Sequence, residues 1–229
     1  MKIDVVLRAQ SIGTLRPNIF ASVPIFDLVE GLQERYSFKQ IPTTQELVNP
    51  LSNQPANFIW AKKKIGDRTV TVESLQVQNF PNLATTAGVI TRTSTDDAEL
   101  VLNDLSQWVH AQFNLDVTPV FPRTFQSQLE LTMEGDLQNH FSFLRPIGKI
   151  LAEIIKDYGF SACPTYEPYG FNMYFDNTKA TTPPTLATAF SLERRVGAAF
   201  EENKYFSQAP LRTQDHEEVL RRLERVLVD

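Results

Sequence analysis

A chain of 229 residues, 42% hydrophobic and 21% charged, is long enough to bury a substantial core and too apolar to stay disordered. The formal charge of -5 and the absence of a basic stripe weigh against nucleic-acid binding. The densest basic run, Lys62–Lys64, lies in a strand pattern that turns successive side chains to opposite faces, so a solvated strand edge is the expectation there.

The single cysteine, Cys163, excludes an intrachain disulfide and reads as a small packed thiol. The N-terminal "MKIDVVLRAQS" is too short in apolar residues for a signal peptide. No run reaches the length of a membrane span, and no Asn-x-Ser/Thr sequon occurs. The expected location is cytoplasmic, with no membrane partner.

In chain order, residues 1–56 carry the weakest signals. "VPIFDLVEGLQERY" places Ile25, Leu28, Val29, Leu32 and Tyr36 on one helical face, with Pro24 tolerated at the start. Ser37 to Ala56 reads as a connection with one short strand. "NFIWAKKKI", "GD" and "RTVTVESLQVQ" then form a hairpin signature, with Gly66 suited to a type II′ turn, Trp60 opposite Glu73 and Ala61 opposite Val72. "TTAGVITRT" adds a third, β-branched strand.

Ser94 or Thr95 caps the following helix, whose first turn is acidic and whose buried stripe is Val101, Leu105, Trp108, Val109 and Phe113. "FQSQLELTME" alternates, which predicts a half-exposed sheet rather than a doubly wound one. A second helix carries Leu137, Phe141, Leu144, Leu151, Ile155 and Tyr158 on one stripe, is interrupted at Pro146 and stops at Gly159. Two strands, in 169–176 and 186–196, flank the connection 177–185. A final helix starts at Thr213 and is striped by Val219, Leu220, Leu223, Val226 and Leu227.

No repeat is visible. The pattern predicts one α+β domain over 1–229, a mostly antiparallel sheet with helices packed mainly on one face. A division near 114–124 is the alternative.

Candidate chemistry centres on "LERRVGAAFEENKYFSQAPLRT". In a strand with period two, Arg195 shares a polar face with Glu193, whereas Arg194 shares a face with Phe190, Leu192 and Val196. A guanidinium on an apolar row needs a carboxylate, carbonyls or an anionic ligand. The 198–212 run reads as a long ordered loop, and a ligand site there would be lined by Arg194, Asn203, Tyr205 and Arg212, with His216 as a base near the start of the last helix.

The three histidines have no metal-ligand spacing, and the chain has no Gly-rich phosphate loop or nucleophile elbow, so neither metal nor cofactor is expected. The leading expectation is a noncatalytic interaction or accessory protein, with a protein partner or self-association. The alternative is a binder of, or enzyme acting on, a small anionic ligand.

Overall fold

The computed structural model describes residues 1–16, 19, 23–43, 55–80, 84–157, 166–174 and 189–228. Cys163, Tyr158, Gly159 and the 177–185 connection lie outside the described residues. The strands are β1 (Lys2–Leu15), β2 (Ala56–Ile65), β3 (Arg68–Phe80), β4 (Ala84–Thr91), β5 (Thr124–Thr132), β6 (Gly170–Met173), β7 (Phe190–Arg194) and β8 (Lys204–Ala209). The helices are α1 (Ile25–Tyr36), α2 (Thr95–Phe113), α3 (Leu137–His140), α4 (Arg145–Asp157) and α5 (Thr213–Val228).

All eight strands join one antiparallel sheet in the order β2-β3-β4-β1-β5-β8-β7-β6. The chain is a single α+β domain, as its sequence pattern predicts.

That order reads the same outward from the β1–β5 pair. A β1-α1-β2-β3-β4-α2 unit is followed by a β5-α3-α4-β6-β7-β8-α5 unit, so a pseudo-dyad passes between β1 and β5. Near the axis the symmetry holds residue by residue. Ala9 lies opposite Ser127 across the axis, and the pairing of Ala9 with Thr91 is matched by that of Ser127 with Ala209. Helices α2 and α5 begin at Thr95 and Thr213, 118 residues apart, and these threonines exchange hydrogen bonds. Each backbone N–H donates to the other's Oγ1, at 3.0 and 2.9 Å, so one free donor at each helix start is satisfied by the opposite unit.

Two apolar clusters follow from the two units. Leu28, Val29, Leu32 and Tyr36 of α1 pack with Val101, Leu102, Leu105 and Val109 of α2 over Phe58, Val72, Leu75 and Val89. Leu137 of α3 and Leu220 and Leu227 of α5 pack over Leu129, Leu131, Leu192 and Tyr205. The last helix therefore docks on its own sheet, although Val226 of its predicted stripe faces solvent. In α2, Ser94 is the N-cap and accepts from Asp97 N–H, as expected. The Gly66-Asp67 hairpin also forms, with Gly66 at φ +57.

Several expectations are corrected. Residues 2–15 are a strand at the centre of the sheet, not part of an illegible lead into a helix. The 198–212 run is not a long loop: a 3-10 turn at Phe200–Glu202 leads straight into β8, an interior strand. Strand β7 ends at Arg194, and Val196 is exposed rather than sharing its inward face. Arg195 pairs with Glu130 (3.2 Å), not Glu193. The interruption expected at Pro146 is present: the second helix divides into α3, a 3-10 turn at Ser142–Leu144, and α4, which restarts with Pro146 in its first turn.

Candidate functional site

The inner face of β8 presents Tyr205, Ser207 and Ala209 toward the helices, and the predicted site residues fall into three separate arrangements along it. Arg194, Asn203 and Tyr205 come together at one end. The Arg194 side chain is 5% exposed, and its Nη2 donates to Asp136 Oδ1 at 2.7 Å while Nη1 donates to the Phe200 carbonyl at 2.7 Å. Its guanidinium lies over the rings of Phe200 (4.6 Å) and Tyr205 (5.3 Å). Asn203 Oδ1 stands at a long 3.5 Å from Nη2.

Asp136 caps α3 by accepting from Gln138 N–H, and Tyr205 Oη accepts from Leu137 N–H. Burial raises the Tyr205 pKa, so the phenol stays protonated. The cluster thus ties β7, β8, the 3-10 turn and the start of α3 to one another.

His216 belongs to a different arrangement. It is fully buried between Ser127 Oγ (2.7 Å from Nδ1) and Ser207 Oγ (2.8 Å from Nε2). Ser207 Oγ donates to the Ser191 carbonyl, which leaves it to accept from Nε2–H, so Nδ1 accepts from Ser127 Oγ–H. Burial pushes the imidazole pKa down to about 4. The first unit has Ala9, Ala98 and Val89 at the corresponding positions, so this polar clamp is a feature of the second unit alone.

Arg212 sits at the pseudo-dyad. Its Nη1 donates to Glu99 (2.7 Å) and Asp96 (3.0 Å), and its guanidinium lies over Phe125 at 4.1 Å. It joins the two units and is not part of the Arg194 cluster.

Four cavities among the described residues are lined by residues other than Arg194, Asn203, Tyr205 and His216. The narrow apolar cavity between α1, α2 and the sheet has a volume of about 30 Å³, room for roughly one water. Among the described residues no group of three His, Cys, Asp or Glu is placed to hold a metal, and no helix is long and apolar enough to cross a membrane. Lys63, in the middle of the basic run, turns back to donate to the Arg35 carbonyl at 2.8 Å.

Two surfaces lie outside the predicted site residues. One is the sheet face opposite the helices, where Arg8, Glu73, Arg92 and Gln128 lie in one row. The other is the end of the sheet at β6. There α4 docks through Gly148, where any side chain would run into the Tyr166 carbonyl, and leaves Ile147, Ile150, Leu151 and Ile154 exposed. Its counterpart α1 buries its apolar stripe. No protein-family model and no curated protein matches the chain.

Proposed function

We propose that the protein is a noncatalytic interaction module that associates with a second copy of itself through the β6 end of the sheet. The observation that carries this reading is the exposed apolar face of α4 and the preceding turn. Phe143 is 70% exposed, Ile147 and Ile150 are each 55% exposed, and Leu144, Leu151 and Ile154 continue the patch. A contiguous exposed apolar face of this kind is often a site of association.

The neighbouring sheet edge favours a second copy as the occupant. The opposite edge, β2, is guarded by Lys62 and Lys64 and by Lys39 and Gln40, whose backbones bond to Ile59. Strand β6 carries no charged residue and has no outer neighbour among the described residues. Antiparallel pairing of two β6 edges repeats the β1–β5 junction inside each chain. It places both α4 helices on the same side of a continuous sheet. Met173 and Tyr174, 55% and 81% exposed, extend the exposed surface next to β6.

The internal engagement of Arg194 and His216 also supports a structural rather than a catalytic use of these groups. Sedimentation equilibrium provides the test. The wild-type protein is expected to show a dimer mass, and Ile150→Asp with Ile154→Asp a monomer of unchanged circular dichroism. A wild-type monomer at the highest attainable concentration contradicts the reading.

A further inference from the structure

On the sheet face that no helix covers among the described residues, one row runs through Trp60, Glu73, Arg92, Arg8, Gln128 and Gln208. The backbone departs from regular pairing at three places along it. Trp60 adopts φ +54, a region that disfavours bulky side chains. Glu73 is an extra residue in β3 opposite β4, and Leu7 is an extra residue in β1 just before Arg8. Bulges re-aim side chains, and backbone strain persists where the surrounding structure holds it for a use.

The charges along the row do not balance. Arg92 occupies both oxygens of Glu73, at 2.9 and 3.0 Å, and lies over the Trp60 ring at 5.5 Å. The carboxylate nearest Arg8 is therefore already held in a two-pronged bond. Arg8 makes a single hydrogen bond, from Nη2 to the neutral Gln10 Oε1 at 2.8 Å. Its Nε is buried without an acceptor, and Nη1 has none among the described residues. Arg194 also has an unpartnered buried Nε, but its two Nη atoms meet a carboxylate and a carbonyl, which Arg8 lacks. Burial of the Arg8 guanidinium opposes its charge, and Glu73 offsets this only from a distance. A half-buried guanidinium that meets only an amide lacks the acceptor this residue type is suited to recognise.

We propose that Arg8 anchors a site for a small oxyanion, a carboxylate or a phosphate group, on the sheet face away from the two helix-packed clusters. Gln10, whose Oε1 accepts from Arg8, keeps its Nε2 as a neutral donor beside it. Gln128 Nε2 already donates to Gln208 Oε1 at 2.7 Å, and the Glu73–Arg92 pair closes one side. The site is independent of self-association, since it lies on the sheet face rather than at the β6 end.

The test is a thermal-unfolding titration with benzoate and, separately, inorganic phosphate, at an ionic strength held constant with chloride. The expected result is a saturable rise in Tm with at least one anion in the wild type, with an apparent affinity at least tenfold weaker in Arg8→Gln. Arg195→Gln, whose partner is Glu130, should respond as the wild type does. The anion that acts identifies the group recognised. No rise in the wild type, or an equal rise in Arg8→Gln, overturns the proposal. Should Arg8→Gln fail to fold, the Arg8 Nε–H resonance of the wild type decides. A saturable shift with benzoate or phosphate but not chloride supports the site, and its absence refutes it.

Discussion

Replacing Arg194 with methionine should cost about 3 kcal/mol of folding stability, because the change leaves Asp136 and the Phe200 carbonyl without their donor and removes the charge that binds four chain segments. For a domain of this size that is a fall in Tm of about 6–12 °C. Arg194→Lys should recover part of the loss. A single ammonium can meet Asp136, but it lacks the planar fork that reaches the carboxylate and the carbonyl together. Urea unfolding of the three proteins measures both effects. A loss below about 1 kcal/mol for the methionine variant would contradict the structural role assigned to this pair.

Acid should weaken the fold through His216 before the carboxylates contribute much. An unfolded histidine titrates near about 6.5, and burial holds this one at about 4 in the folded chain. Between those values the unfolded chain binds the extra proton, so stability rises with pH across that window. The contribution is complete above about pH 6.5, is lost as the pH falls, and levels off below the folded value. Its full size is about 3 kcal/mol.

His216→Gln removes the titration, so its stability should be nearly flat across the same window. Glu99 and Asp104, held below their ordinary values by Arg212 and Arg35, lose their share only at lower pH. An unchanged pH slope in the glutamine variant would place the sensitivity elsewhere.

The parts of the fold legible in the sequence are those whose signals are local. Ser94 and the acidic turn after it announce α2, and Gly66-Asp67 announces the β2–β3 hairpin with Trp60 and Glu73 on facing strands. Strand β1 was hidden by its two extra residues, one between Ile3 and Val5 and one between Val6 and Arg8, which shift the alternation twice within a few positions. Missing β1 meant missing Arg8. Strand β8 was hidden because its inward residue Ser207 is polar and its outward residue Phe206 is not. Ser207 faces the core with its hydroxyl bonded to the Ser191 carbonyl and to His216, contacts formed by the fold rather than by neighbouring sequence.

The internal repeat was invisible for a related reason. The two units keep their register and exchange residue types, as Ala9 with Ser127 and Ala98 with His216 illustrate. The period of two did place Arg194 on an inward row, but its partner Asp136 lies 58 residues away. The stripe expected around α4, Leu144, Leu151 and Ile155, is not a buried face. Leu144 and Leu151 are exposed together with Ile147, Ile150 and Ile154, and α4 approaches its neighbour instead through Gly148 against Tyr166.

Hydrogen exchange at the amides of Gly170 and Asn172 tests the central claim most directly, since these point away from β7 on the sheet edge that a second copy is proposed to cover. Self-association predicts slow exchange in concentrated protein and fast exchange on dilution or in the Ile150→Asp, Ile154→Asp variant, with β1 and β5 unaffected. Exchange at β6 that is equally fast at every concentration and in both proteins would contradict it.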